Sequence, residues 1–259
     1  MTRVPPAVRP LLRLLHLWWP LALGWSVAVV VRRATGRPWD PVGVALLLLG
    51  IAAAYSLDRA LDPAGAEPRW MRRVLLGVAA VASLLGGALL PWLQPHVALV
   101  VPVAGALAVA YPWLKRLPLG KTLLVPLVWT WCGIVLPSGE GSWSGWRWIE
   151  EPVALPLFLF VAAGCVLCDL KDAARDRSAG VPSLPALAGP LTALGIAVTL
   201  AALSGAIAAA QGRYGLAVGA VALCASACRP ALLATDDVGP LLVDVILTLP
   251  GALIAARLV

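Results

Sequence analysis

Long apolar runs separated by short polar connections organise the whole chain. They fall at roughly 11–31, 41–57, 74–93, 97–113, 122–137, 152–168, 186–210, 213–228 and 238–256, mostly near the ~17–25 residues that a helix needs to span a bilayer. The pattern predicts an all-α, polytopic membrane protein with about nine transmembrane helices. No remaining stretch is long enough for a soluble appendage, so residues 1–259 read as one membrane domain. The N-terminus lacks a small-residue cleavage site behind a short apolar core and reads as a retained first helix. Most prolines sit at run ends, where they stop helices cheaply, whereas Pro20, Pro102, Pro126 and Pro250 fall inside runs and are expected to kink them.

Composition agrees, with 61% hydrophobic and 13% charged residues and a mean hydropathy of +0.89, far from the soluble average. Lys and Arg resist translocation and so set orientation. A cytoplasmic N-terminus puts Arg3, Arg9, Arg13, Arg59, Arg69, Arg72, Arg73, Lys115, Arg116, Lys121, Lys171, Arg175, Arg177 and Arg229 on the cytoplasmic side, 14 of the 20 basic residues. Arg32, Arg33, Arg37, Arg147, Arg213 and Arg257 fall opposite, and the cluster of Arg32, Arg33 and Arg37 counts against that orientation. Three Lys against 17 Arg, with abundant Ala, Gly and Pro, suggests a GC-rich genome and a bacterial inner membrane.

The net charge of +7 reads as topology plus anion binding at one membrane face. Basic residues scattered among short loops argue against nucleic acid as a partner. Among the 12 tryptophans, Trp18, Trp19, Trp39, Trp92, Trp113, Trp143, Trp146 and Trp148 lie near run ends as interfacial anchors. Trp129 and Trp131 sit deeper, as candidates for a cavity wall. The five cysteines are odd in number and embedded in apolar runs, which argues against a disulfide scaffold, and Cys165-x-x-Cys168 has no second pair to complete a zinc site.

The charge that remains is concentrated. Asp169, Asp172 and Asp176 are spaced i, i+3, i+7, which places three carboxylates on one helical face. Such a set repels itself unless cations sit within it. A divalent metal, Mg²⁺, holding a phosphorylated ligand is the economical explanation. Asp58 and Asp62 form a second set at i, i+4 near the end of the second run, followed by Arg59, Arg69, Arg72 and Arg73. Solvated helix ends balanced by local salt bridges are the alternative.

A Mg²⁺-bridged diphosphate needs carboxylates for the metal and Lys or Arg for the remaining phosphate oxygens. An apolar cavity beneath suits a lipid tail. Heterolysis of an allylic carbon–oxygen bond would release diphosphate, and a site among transmembrane helices keeps water from the resulting cation. Asp244, inside the last run, is a costly intramembrane carboxylate expected to face the interior, where it assists an acceptor or completes the polar cavity. Its alternative is a local Arg partner or a helix cap. Asp236 and Asp237 read as a solvated turn.

These residues resemble the UbiA superfamily of intramembrane prenyltransferases. The family's second motif, D-x-x-D-x-x-x-D, is complete as Asp169-Leu-Lys-Asp172-Ala-Ala-Arg-Asp176, and Arg177, Gly180, Ser183, Leu184 and Pro185 are similar to its continuation. Tyr111, Lys115, Arg116 and Lys121 resemble the connection between the family's fourth and fifth helices. The first motif, N-D-x-x-D-x-x-x-D, departs: Asp58 and Asp62 match its last two acids, but Ala54 and Tyr55 stand where the family has Asn and Asp. Pro68-Arg69 is loosely similar to the Pro-x-Arg that follows it.

The resemblance implies helices around a central cavity and a cytoplasm-facing site. It further implies transfer of a polyprenyl group from its diphosphate to an aromatic or other lipophilic acceptor. By it, Asp58, Asp62, Asp169, Asp172 and Asp176 hold Mg²⁺ and diphosphate, and Arg69, Arg72, Lys115, Lys121, Lys171 and Arg177 contact phosphate oxygens. A terpene cyclase of the same fold and a non-catalytic relative stay open because of Ala54 and Tyr55. A transporter fits less well, because the acids lie at run ends rather than at a midplane between inverted repeats. The Gly-Ala-Arg-containing signature of CDP-alcohol phosphotransferases is not present.

Overall fold

Apolar runs in hydrocarbon must satisfy their own backbone groups, and in this chain they do so as helices. The computed structural model describes residues 9–61, 68–138, 147–235 and 238–259. The elements are α1 (Arg9–Thr35), α2 (Pro41–Leu61), α3 (Arg69–Leu89), α4 (Val100–Leu114), α5 (Gly120–Val135), α6 (Ala154–Asp169), α7 (Ala173–Ala179), α8 (Pro190–Ala210), α9 (Tyr214–Ala227) and α10 (Val238–Ala255). Short helical turns at Pro95–Ala98, Leu184–Ala188 and Pro230–Leu233 fill connections. No strand occurs among the described residues.

Among the described residues, six segments are long and apolar enough to cross a membrane: Pro41–Leu61, Arg69–Trp92, Gly120–Ser138, Ala154–Ala179, Pro190–Ala210 and Val238–Ala255. α4 and α9 are apolar but have 15 and 14 residues, about 20 Å of helix against a hydrocarbon core of about 30 Å. The expected count of nine spans is therefore not reached on length and composition among the described residues. The outer surface is that of an integral membrane protein. Leu84, Val221 and Leu191 are 74%, 68% and 82% exposed, apolar surface of a kind that water penalises and lipid accepts.

The helices close on themselves. α1 packs on α2 and α10, α2 on α3 and α4, α4 on α5, α5 on α6, α6 on α8, α8 on α9, and α9 on α10. Two thirds of the Ala154–Ala179 span is buried, against 22% of Arg69–Trp92, so α6 is the inner post and α3 faces lipid. Phe160, Leu157, Val161 and Val166 of α6 are fully buried in the core.

The seam between α1 and α10 is tight at Ser26. Pro250 has no N–H to donate and disturbs α10. Ser26 compensates: its Oγ accepts from the Gly251 N–H at 3.0 Å and donates to the Thr248 carbonyl at 3.1 Å. A side chain at 251 would meet the Ser26 Cα at 2.4 Å. Pro20, Pro126 and Pro250 lie inside helices as expected. Pro102 instead falls in the first turn of α4, where a missing N–H costs little, and Pro112 is that helix's internal proline.

Away from the acids, Arg32 stacks over Trp39 at 5.3 Å, Trp25 meets the same indole edge-on at 5.1 Å, and Arg37 pairs with Glu151. Part of the basic cluster that opposed the orientation is thus locally partnered. Between α4 and α5 the chain reverses sharply. Leu119 adopts the left-handed region (φ 59°), and a Cβ at Gly120 would lie 2.1 Å from the Leu114 carbonyl oxygen.

Gly251→Ala is expected to lower thermal stability in detergent by about 1–3 kcal/mol through overpacking. Gly50→Ala, where a Cβ meets nothing within 4 Å, should leave it unchanged or slightly raised; equal losses in the two would contradict the seam. Gly120→Ala should cost a similar ~1–3 kcal/mol, because only backbone movement relieves its contact. Unchanged melting of that variant would show that the reversal tolerates a side chain.

Candidate active site

Three connections on one side of the bundle bring charge together: the end of α2, the reversal between α4 and α5, and the junction of α6 with α7. α6 stays α-helical through Asp169, tightens into a single 3₁₀ turn at Leu170–Asp172, and resumes as α7. In a 3₁₀ turn residues i and i+3 eclipse. Asp169 and Asp172 are therefore drawn closer in angle than an unbroken α-helix would set them. Gly180 then ends α7 in the left-handed region (φ 68°), with the Val181 N–H donating to the Asp176 carbonyl at 2.8 Å.

Lys121, in the first turn of α5, reaches into this set. Its Nζ lies 2.9 Å from Asp169 Oδ1, 3.2 Å from Asp176 Oδ2 and 3.7 Å from Asp172 Oδ2. The three aspartates are 6%, 5% and 8% exposed. Their oxygens surround one atom and are at most about 7 Å apart, so each pair repels by roughly 2 kcal/mol or more at an effective dielectric constant of about 20. One ammonium offsets part of this. Asp172 also accepts from Arg175 Nη2 at 3.0 Å and has Lys171 Nζ at 3.6 Å. Asp169 Oδ2 is buried with no hydrogen-bond partner, a costly state for a carboxylate oxygen.

Lys115 serves the other acid. Its Nζ lies 3.4 Å from Asp58 Oδ1 and 5.7 Å from the centre of the Tyr111 ring. Lys115 and Lys121 stand on the same reversal, so the end of α2 and the triad are each tied to that one connection. Asp62 lies outside the described residues, as do Asp236, Asp237, Trp143 and Trp146.

Tyr55, on α2, is 37% exposed and has Asp244, Cys165, Cys168 and Tyr111 within electrostatic range. Asp244 is half-buried and within electrostatic range of Lys171, the partner that sequence reading sought among arginines. Cys165 and Cys168 are free and half-buried. Trp18, Leu21, Ile51 and Val78 line a narrow apolar cleft of about 10 Å³, room for roughly one water, that Tyr55 and Ser56 border. Trp129 is buried in the core and Trp131 packs against it.

The other expected phosphate contacts are dispersed. Arg69 and Arg72 open α3, exposed and half-buried respectively. Arg177 donates through Nε and Nη2 to the Ala186 carbonyl at 3.3 and 3.2 Å, bracing α7 against the next helical turn. Two contributors carried no assignment from sequence. Arg175 stands three residues after Asp172, a spacing that signals a helical ion pair. Tyr111 had been read only as part of a connection.

The donor set suits a hard divalent cation, being all carboxylate oxygen with one buried oxygen unpartnered. Among the described residues no group of three or more acidic, histidine or cysteine side chains is preassembled as a metal cage. The three carboxylates are instead gathered on the Lys121 ammonium.

No curated protein matches the chain. Solved structures that share the fold include two UbiA homologs. One is the apo structure of a UbiA homolog from Aeropyrum pernix K1, 22% identical, covering 94% of this chain and 98% of that one at a TM-score of 0.70. The other is a UbiA homolog from Archaeoglobus fulgidus bound to DMAPP and Mg²⁺, 14% identical, covering 97% and 99% at a TM-score of 0.60. The UbiA prenyltransferase family matches residues 65–238, which contain all three lysines and the whole aspartate triad. The chain belongs to the UbiA prenyltransferase family.

Proposed function

We propose that this protein transfers a polyprenyl group from its diphosphate to an aromatic or other lipophilic acceptor, with Mg²⁺, at the cytoplasmic face of a bacterial inner membrane. The observation that carries the reading is the gathering of Asp169, Asp172 and Asp176 on Lys121, with Asp58 on Lys115 at the other end of the same reversal. The Archaeoglobus relative bound to DMAPP and Mg²⁺ supports the ligand class.

Asp169, Asp172, Asp176, Asp58 and Asp62 would hold the metal. Bound there, Mg²⁺ would neutralise diphosphate oxygens and make diphosphate a better leaving group. Lys115, Lys121, Lys171, Arg69 and Arg72 supply the remaining positive charge to phosphate oxygens. Arg177 holds the triad's helix in place from behind. The allylic carbon–oxygen bond breaks with its electron pair leaving on diphosphate, and the allylic carbon then bonds to the acceptor, which sheds a proton. The closed ring of helices keeps bulk water from that carbon. Asp244 and Tyr55 would give the acceptor's polar end hydrogen-bonding partners, and Trp18, Leu21 and Ile51 beside Tyr55 are apolar side chains that an isoprenoid tail would contact. The positive-inside count places the N-terminus and the acids in the cytoplasm.

A second reading rests on Tyr55, which puts an aromatic ring where a carboxylate would otherwise face the site. A cation held against such rings can close on itself, giving a terpene instead of a prenylated acceptor.

Purified protein is expected to release diphosphate from a polyprenyl diphosphate only with Mg²⁺, and Asp172→Ala should abolish release. Unchanged release by that variant would remove the triad from the chemistry. Product analysis with no acceptor added separates the two readings: the transferase yields neither cyclic hydrocarbon nor terpene alcohol, and either product in quantity favours the cyclase.

A further inference from the structure

We infer that Lys121 is a built-in counter-cation, holding the centre of the aspartate triad until diphosphate arrives, so that the divalent metal binds together with diphosphate and only weakly before it. The inference rests on the reading of the triad as a metal–diphosphate site and adds an order to the binding.

Three carboxylates, each no more than 8% exposed, converge on one ammonium at 2.9, 3.2 and 3.7 Å. An ammonium and a metal ion cannot share that centre, because like charges a few Å apart repel in a poorly screened interior. Metal entry therefore requires Lys121 to leave. A lysine that leaves a buried acidic cluster needs another anion within the reach of its four-carbon stem. Diphosphate brings that anion with the metal. In its absence the displaced ammonium would stand beside a newly bound dication with nothing to receive it.

The local construction fits a side chain that moves while its backbone does not. Lys121 follows a reversal fixed by Leu119 in the left-handed region and by the close approach of Gly120 to the Leu114 carbonyl. Its anchor is rigid and its stem flexible. Lys115, at the other end of the same reversal, already sits on Asp58. Asp169 Oδ2, buried and unpartnered, marks capacity in the cluster that Lys121 leaves unused and that a metal would take.

The test is Mn²⁺ binding to full-length protein in detergent, read by electron paramagnetic resonance with and without inorganic diphosphate. Mn²⁺ alone should bind the wild type weakly, and Lys121→Met should tighten that binding by at least about tenfold, since a competing charge is gone. Diphosphate should tighten Mn²⁺ binding to the wild type by more than it does for the variant. Thermal melting covers the chance that Lys121→Met folds poorly. The variant should melt below the wild type without metal and recover on adding Mn²⁺, and Lys121→Gln should behave alike. Wild type and Lys121→Met binding Mn²⁺ alone with equal affinity, or melting of both variants unaffected by Mn²⁺, would overturn the inference. Failure of diphosphate to affect Mn²⁺ binding in either protein would instead overturn the diphosphate-site reading, whatever the metal-alone comparison gives.

Discussion

Three aspartates withdrawn from water within a few Å of one another set the terms for this molecule. Carboxylates in such surroundings stay ionised only if positive charge is supplied at close range. Lys121 supplies it directly, and Arg175 and Lys171 support Asp172 from the rim. The surrounding structure serves to hold those partners at the right distance. The 3₁₀ turn after Asp169 bunches the acids, the left-handed Leu119 aims the lysine, and Gly180 ends α7 so that the triad remains at the mouth of the bundle. An isolated helix carrying the same triad would have no cation buried at its centre.

The rest of the bundle makes that electrostatic arrangement useful. A ring closed by α1 against α10 brings Tyr111, Cys165, Cys168 and Asp244, from three further helices, within electrostatic range of Tyr55. The bundle needs a close α1–α10 crossing, and the Pro250 disturbance threatens it. Ser26 resolves both at once by satisfying backbone groups on α10 while Gly251 lets the helices approach. The result is polar at one end and apolar in the walls, the division that a ligand with a charged head and an oily tail requires.

Much of this was legible in the chain. Apolar runs located the helices, because hydrocarbon leaves few alternatives to them, and the i, i+3, i+7 spacing located the triad. What stayed hidden depends on contacts between distant segments or on geometry within a turn. The spacing said nothing of which cation enters the triad, because Lys121 comes from a helix 48 or more positions away in sequence, aimed by a backbone conformation that leucine seldom adopts. Arg175 was counted among basic residues without being placed, although its spacing to Asp172 was in plain view. Pro102 and Pro112 exchanged roles because the start of α4 fell a few residues from the apolar boundary. Apolar composition continues through connections, so α4 and α9 are shorter than their runs, and six helices among the described residues meet the length and composition of a crossing segment.

The two acidic sets are unequal, and the inequality is physical as well as textual. The triad gathers three buried carboxylates on Lys121. Around Asp58 the described residues provide one half-buried acid on Lys115, with Ala54 and Tyr55 one turn earlier contributing a methyl and a phenol. A neutral phenol neither repels Asp58 nor demands a cation of its own. The α2 side thus places less negative charge against the site than the α6–α7 side does, and Lys115 offsets most of what is there. One connection thus carries a lysine to each set, Lys121 to three buried acids and Lys115 to one half-buried acid.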